Sequence, residues 1–189
     1  VVGVDQPVRV EDDDGVDAQL ATAPPDLDVA VDGVLPRAVA RGKLQALAAG
    51  AALVALAQQV EQPKAIIVVS PHWETREPTV GSATDLETIY DFGGFPGELY
   101  TLKYPAHGNG ALAQQVADCL QAAGYAPRID PHRGLDHGAW VPLRMMYPAA
   151  DIPIIPLSIK PHGGPAYHYA LGEALRPLTA QGFLVIGTG

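Results

Sequence analysis

The chain has 189 residues, 48% of them hydrophobic, and a formal net charge of -9 at neutral pH. This length and apolar content suffice for one domain with a sizeable core. No apolar stretch is long enough to span a bilayer, the start lacks the pattern of a secretory signal, and no basic stripe is present, so we expect a cytoplasmic protein that binds neither membranes nor nucleic acid. The single cysteine, Cys119, excludes an internal disulfide and a cysteine-based zinc site.

The first 35 residues differ in composition from the rest of the chain. They contain nine acidic residues against one basic residue, Arg9, whereas the remainder is close to neutral. No Phe, Tyr, Trp or Ile occurs before Ile66, so this segment has little apolar surface with which to offset the entropy lost on ordering. A disordered segment, a stretch of wrongly assigned or frame-shifted sequence, and a divergent opening strand all stay open. We therefore separate an atypical segment, residues 1–35, from a domain over residues 36–189.

Helical and strand patterns alternate along this domain. In chain order they predict a helix over 41–61, a strand over 64–70, a helix from the Asn109 N-cap to about Ala123, a short strand over 125–129, a helix over 139–146, a strand over 152–159, a helix over 166–179 and a last strand over 183–186. Pro153 and Pro156 favour an edge or bulged position for the strand that contains them. The alternation predicts an α/β fold, a single domain with a central, mostly parallel or mixed sheet flanked by helices.

His72 follows the first predicted strand. The run from Ala65 to Val69 is continuously apolar and mostly β-branched, which is typical of a strand that is covered on both faces. Open α/β sheets place their chemistry at the carboxyl ends of such strands, where the chain passes into a loop. Neutral imidazole is a common ligand of iron and zinc, so His72 is a candidate metal ligand. The alternative is a histidine that only hydrogen-bonds a neighbouring loop.

The segment from Tyr90 to Tyr104 is rich in aromatic residues and glycine. Gly93 and Gly94 allow backbone conformations that other residues avoid, and Asp91 and Phe92 beside them could shape a wall of a pocket for an aromatic substrate. The alternative is a loop that packs over the sheet without touching a ligand.

A second histidine, His137, lies in the run Gly-Leu-Asp-His-Gly-Ala-Trp. Imidazole exchanges protons near neutral pH, so His137 is a candidate general acid and base, and Trp140 would give its loop an apolar wall. The alternative is a histidine that Asp136 orients for structural reasons alone.

Four motifs together resemble a known enzyme family. Ser70-Pro71-His72-Trp73, the segments 88–96 and 99–106, and the segment 134–143 occur in the order found in class III extradiol ring-cleaving dioxygenases of the DOPA-dioxygenase type. The resemblance covers about residues 60–189. It implies an enzyme that opens a small catechol with dioxygen at a non-haem Fe(II) centre, with zinc as the alternative metal.

The resemblance also implies roles for individual residues. His72 matches a metal ligand of the family, and His137 matches the histidine that acts as acid and base beside the substrate. His168 matches a further family histidine, and we group it with Asp91, Phe92 and Trp140 as candidate substrate-binding residues.

The sequence departs from the family pattern at two metal-ligand positions. Thr22 stands where the family has its first ligand histidine, and a hydroxyl is a poor replacement for imidazole at iron or zinc. A later His-Asn pair would follow Gly189, so we expect a domain truncated at its C-terminus. Two alternatives to the dioxygenase therefore stay open: a zinc-binding or metal-free homologue that binds a small molecule or partner, and a subunit that completes its site with a partner chain. Whether the protein forms a homo-oligomer also stays open.

Overall fold

The computed structural model describes the backbone of residues 37–188 and the side chains of residues 48–188. Thr22 and the atypical segment 1–35 lie outside the described residues, so the expectations for them and for the boundary at residue 36 stay predictions. The chain divides into two compact units between Ala55 and Leu56. Most of helix α1, Arg37–Gln59, belongs to the first unit, and the strands found among residues 37–188 belong to the second.

The second unit is built around a five-stranded mixed sheet. Its strands are β1 (Ala65–Glu74), β2 (Thr79–Gly81), β3 (Arg128–Asp130), β4 (Ile154–Ile159) and β5 (Phe183–Gly187). Their order across the sheet is β3-β2-β4-β1-β5. β1 runs parallel to both of its neighbours, and β2 runs parallel to β3 and antiparallel to β4. The prediction of an α/β fold with a mostly parallel or mixed sheet is confirmed.

The central strand β1 is covered on both faces, as its apolar run predicts. Ala65 and Ile67 belong to a core cluster shared with helices α2 (Gly110–Ala122) and α4 (Gly164–Thr179). Ile66 and Val68 point to the opposite face, where they pack with helix α3 (His137–Met146). This strict alternation follows from the two-residue period of a strand. The two cores hold β1 rigidly from both sides, and so fix the position of its carboxyl end.

Of the two positions that the prolines favoured for β4, the edge position is wrong, whereas an irregularity does occur in its pairing with β1, between Val69 and Glu74. β4 lies inside the sheet between β2 and β1, although it contains Pro156. The proline is accommodated because β2 is short and pairs with β4 only at Val80 and Leu157, and because Gly81 leaves room for the proline ring. A Cβ atom added at Gly81 would lie 3.1 Å from two ring atoms of Pro156. Gly81 thus gives space to the proline ring, and the short pairing with β2 limits the number of hydrogen bonds that the missing N–H of Pro156 could disrupt.

The helices begin and end close to where the sequence predicts. The Asn109 side chain accepts a hydrogen bond from the backbone N–H of Leu112 and caps α2, and Gly124, with a φ of +89°, follows the end of that helix. α3 begins at His137, two residues before the predicted start, because the Asp136 side chain caps it. No helix in the described part of the chain is both long and apolar enough to cross a membrane.

A long connection between β2 and α2 covers the α3 face of the sheet. Its anchor is Tyr104, which is buried and donates a hydrogen bond from its hydroxyl to the backbone carbonyl of Tyr147, 3.0 Å away. Tyr90 donates to the carbonyl of Leu102, and the Trp140 indole N–H donates to the carbonyl of Ile89. These bonds fix the aromatic segment 90–104 over α3.

The buried phenol of Tyr104 generates a prediction about alkaline stability. Burial, together with the nearby Asp151 and Tyr147, raises the pKa of Tyr104 to about 12, whereas a tyrosine in an unfolded chain titrates near 10. The folded state therefore holds this proton more tightly, so its contribution to stability is complete below about pH 10 and is lost as the pH rises towards about 12. Within that pH window, the ionisation of Tyr104 can lower the free energy of unfolding by up to about 1.4 kcal/mol per pH unit.

The measurement is the free energy of unfolding between pH 8 and 12, compared with that of Tyr104→Phe. At pH 8 the variant should be less stable by about 1 kcal/mol, because it lacks the hydrogen bond to Tyr147. The difference should shrink or reverse above about pH 10. Parallel curves for the two proteins would contradict the assignment.

Candidate functional site

The site is built where the end of β1 meets the start of α3. The pairing of β1 with β4 is irregular between Val69 and Glu74, and His72 lies within this irregular end. The predicted loop is therefore a continuation of the strand. The backbone N–H of His72 donates to the Ser70 hydroxyl, 3.2 Å away, and the His72 side chain stays partly exposed. An imidazole is thus held on the strand end with part of its ring open to solvent.

Asp91 lies between the two histidines. Its Oδ1 accepts a hydrogen bond from the backbone N–H of His137 at 2.8 Å and lies 2.9 Å from Nδ1 of the same residue. Its Oδ2 lies 3.7 Å from Nδ1 of His72. The two imidazole rings are 4.1 Å apart between centroids. A carboxylate from the aromatic segment therefore joins the strand histidine to the helix histidine.

The electrostatics of this cluster favour an ionised Asp91. Partial burial of the carboxylate works against ionisation, but the backbone N–H and the ring of His137 outweigh it and lower the pKa of Asp91. Nδ1 of His137 is buried and makes no well-aligned hydrogen bond, despite its short distance to Asp91. We therefore treat the contact between Nδ1 and Oδ1 as electrostatic. The Asp91 carboxylate thus lies beside a ring nitrogen of His137 that makes no hydrogen bond.

This donor set fits a metal ion. One ligand atom from each of His72, Asp91 and His137 lies within 4.8 Å of the other two. Two imidazoles and one carboxylate are the ligand types of the facial triad in non-haem Fe(II) oxygenases, and they also suit zinc. Sequence reasoning named all three residues but assigned only His72 to the metal, and nothing in the pattern indicated that Asp91 joins the histidines.

A buried polar network lies behind the histidines. The Ser70 hydroxyl donates to Oδ1 of Asp136, and Oδ1 of Asp136 also accepts from the backbone N–H of Ala139. Oδ2 of Asp136 pairs with the Arg133 guanidinium at 2.6 Å, and that guanidinium stacks over the Trp73 ring. The carboxylate beside the His137 ring is thus that of Asp91, while Asp136 caps α3 and ties it to β1. The sequence did not indicate that Ser70 and Arg133 would bind the Asp136 carboxylate.

Gly138 is the point of closest approach between helix and strand. A Cβ atom added there would lie 2.5 Å from the Ser70 hydroxyl oxygen and 2.7 Å from Cδ2 of His72. Real Cβ atoms do not approach other atoms this closely, so the Ser70 and His72 side chains would have to shift. The glycine that directly follows His137 is therefore a steric requirement of the site.

An apolar cavity of about 330 Å³ opens beside His137. It is lined by Phe92, Phe95, Leu99, Leu102, His137, Trp140, Val141, Arg144 and Met145. The Phe92 ring packs edge-on against the His137 ring, with centroids 5.6 Å apart, and lies 6.4 Å from the Trp140 ring. The cavity is large enough for one aromatic ring with a short substituent, and its walls are mainly aromatic and aliphatic.

The four residues predicted to bind substrate lie in three different places in the structure. Phe92 and Trp140 line the cavity, and Asp91 lies between the histidines. His168 has both ring nitrogens in contact with backbone: Nδ1 lies 2.8 Å from the Gly164 carbonyl, and Nε2 accepts from the N–H of Lys160. His168 thus closes the loop between β4 and α4. Substrate contact by these residues stays a prediction.

Comparison with known proteins places the chain in a family. Residues 39–189 match the family model described as the catalytic LigB subunit of aromatic ring-opening dioxygenase. The chain belongs to the LigB family. The expected kinship with class III extradiol dioxygenases is thereby confirmed.

Individual relatives in the LigB family are similar over the same region. The chain is 51% identical over 130 residues to 4,5-DOPA dioxygenase extradiol of Beta vulgaris and 42% identical over 135 residues to that of Escherichia coli K12. These matches cover 68% and 71% of this chain and 48% and 49% of the relatives. The chain therefore spans about half the length of the curated relatives it matches.

A solved structure supports the fold. The crystal structure of an uncharacterized protein from Escherichia coli K12 matches with a TM-score of 0.61 at 35% identity, over 74% of this chain and 52% of that one. The α/β architecture of the LigB family is therefore present in the described residues.

The close approach at Gly138 generates the second prediction. Gly138→Ala should weaken Fe(II) or Zn(II) binding by about tenfold or more, because the added methyl group displaces His72 from its position beside Asp91. The same overpacking should lower the free energy of unfolding by about 1–3 kcal/mol.

The matched control is Gly172→Ala in α4, where a Cβ atom would have no neighbour within 4 Å. This variant should keep wild-type metal affinity and gain up to about 1 kcal/mol of stability, since alanine is the better helix former. Metal titration by calorimetry and denaturant unfolding measure both effects. Wild-type metal affinity in Gly138→Ala would contradict the steric argument.

Proposed function

We propose that the chain carries the active site of an extradiol ring-cleaving dioxygenase, which opens a small catechol with dioxygen at a non-haem metal. The observation that carries the proposal is the cluster of His72, Asp91 and His137 beside an aromatic-walled cavity. The names of the LigB-family relatives, which are 4,5-DOPA dioxygenases of the extradiol type, support the same reaction.

In this proposal His72 and Asp91 hold the metal, which we infer to be Fe(II). A bound Fe(II) ion would supply a redox-active Lewis-acid centre with free coordination positions for oxygen ligands. The irregular end of β1 directs the His72 ring towards Asp91, and the lowered pKa of Asp91 keeps its carboxylate ready as an anionic ligand. His72 extends from a strand that is packed on both faces, and Asp91 is held by the hydrogen bond that its carboxylate accepts from the backbone N–H of His137.

His137 is the residue proposed to move protons. Its Nδ1 is buried against Asp91, whereas its side chain as a whole is 32% exposed, so the accessible part of the ring is the side that carries Nε2. Nε2 is therefore the atom that would accept a proton from a catechol hydroxyl and return it later in the reaction. The backbone hydrogen bond from His137 to Asp91 keeps the residue in place while its ring changes protonation.

The cavity walls are proposed to orient the substrate ring and exclude water. Phe92 and Trp140 present aromatic surfaces next to His137, and aromatic rings favour offset or edge-to-face contact with another ring. Such contacts would hold a catechol with its hydroxyls towards the histidines. The aliphatic side chains around them would keep bulk water away from the ring-opening step.

The division of roles between the histidines gives the third prediction. His72→Ala should abolish stoichiometric metal binding and all activity, because it removes an imidazole ligand. His137→Ala should retain the metal and slow turnover by about 10²–10⁴-fold, since that is the usual contribution of a general acid-base group. The control is His162→Ala, because His162 is an exposed histidine in the loop before α4.

The measurement is oxygen uptake by the full chain, loaded anaerobically with Fe(II) and mixed with catechols that include DOPA and caffeate, together with metal content after gel filtration. Uptake that tracks a coloured ring-opened product supports the proposal. Loss of metal in His137→Ala would make His137 a ligand and overturn the assignment of roles. Retention of metal without uptake of oxygen would favour a binding protein over a dioxygenase.

A further inference from the structure

One face of helix α3 forms a wall of the cavity. His137, Trp140, Val141 and Arg144 occupy positions i, i+3, i+4 and i+7 of the helix, which lie on the same side, and all four line the cavity. The two polar residues stand at the two ends of this row. The residues between them are apolar, so the wall has a catalytic end at His137 and a cationic end at Arg144.

Arg144 is a free positive charge at an otherwise apolar cavity. It is exposed, and among the side chains of residues 48–188 no acidic group forms an ion pair with it. The other lining side chains, His137 apart, are apolar. By contrast Arg133 and Arg176 are paired with Asp136 and Glu173. A guanidinium without an acidic partner is suited to bind a carboxylate, because its planar donors match both carboxylate oxygens.

We propose that Arg144 selects catechols that carry a carboxylate on a short side chain. The inference rests on the proposed function, since it places the diol at the His137 end of the cavity. Seven residues of α-helix span roughly 10 Å along the axis, at about 1.5 Å per residue. An aromatic ring with a side chain of two or three carbons covers a comparable distance. The planar guanidinium would then bind both oxygens of the carboxylate.

The size of the effect follows from the exposure of Arg144. Hydrogen bonds to charged groups typically raise affinity by one to two powers of ten. Because Arg144 is exposed and salt screens its charge, we expect the lower end of this range for its pair with a ligand carboxylate. We therefore expect a preference of about tenfold for a carboxylated catechol over its uncharged analogue. The preference should decline as the ionic strength rises, because the pair is open to solvent.

Binding can be measured without turnover. The chain has two tryptophans, Trp73 and Trp140, and Trp140 lines the cavity, so quenching of its fluorescence reports occupancy. The full chain is titrated anaerobically, so that no ring opens, with 3,4-dihydroxyphenylpropionate and with 4-propylcatechol. The first ligand carries a carboxylate, and the second is uncharged and similar in size. Trp140→Phe verifies that the signal comes from the cavity.

Arg144→Gln should weaken binding of the carboxylated ligand by about tenfold and leave binding of 4-propylcatechol unchanged, while Arg144→Lys should restore part of the preference. Under turnover the same variants should raise KM for the carboxylated substrate with little change in kcat. The control is Arg176→Gln on α4, which should behave as wild type because Arg176 pairs with Glu173.

Three results would overturn the proposal for Arg144: equal weakening of both ligands by Arg144→Gln, an unchanged preference in that variant, or failure of the wild type to bind either ligand. The proposed function is tested separately, by oxygen uptake. Oxygen uptake without a charge preference would refute only the role of Arg144. A charge preference without oxygen uptake would refute the dioxygenase and leave Arg144 as an anion-binding residue.

Discussion

The contact between the end of β1 and the start of α3 is the constraint on which the site depends. At Gly138 the helix backbone approaches the Ser70 and His72 side chains so closely that an added Cβ atom would collide with both. Buried Asp136 strengthens the junction, because its carboxylate receives the Ser70 hydroxyl, a helix N–H and the Arg133 guanidinium. A buried carboxylate would be costly without such partners. With them, a strand and a helix from distant parts of the sequence form one rigid corner.

Asp91 adds the third element to this corner. Its carboxylate anchors the aromatic segment 90–104 to the first residue of α3, and at the same time it lies beside both imidazole rings. The same group therefore has a structural role and belongs to the proposed metal site. A metal held by His72 and Asp91 would draw the carboxylate towards β1, whereas its hydrogen bond to the backbone of His137 keeps it at α3. Metal binding at the proposed site would therefore be coupled to the placement of the cavity wall that contains Phe92.

Most of the fold was predictable, because it follows from local patterns. The apolar run of β1, the Asn109 cap and the Gly124 stop each specify an element through interactions within a few residues. The position of β4 was not predictable from its own sequence, since Pro156 is accommodated by features of another strand, the short pairing with β2 and the space left by Gly81. The histidines were found from their motifs, but the bridging position of Asp91 depends on a contact between residues 46 positions apart. A contact between residues so far apart leaves no periodic pattern in the sequence from which it could be predicted.

The proposed roles of His137 and Arg144 would combine chemistry and selectivity in one short helix, α3. Its capped first turn holds His137 beside Asp91, its middle residues build an apolar wall, and its last turn presents Arg144. Apolar walls distinguish ligands weakly, because an additional methylene group changes affinity by only about tenfold to two-hundredfold, whereas an unmatched polar or charged group is discriminated more strongly. Since one rigid helix fixes the spacing between His137 and Arg144, a ligand held by its charged end would present its ring at a defined distance from the histidines. Selectivity and alignment of the reacting group then depend on the same seven-residue spacing.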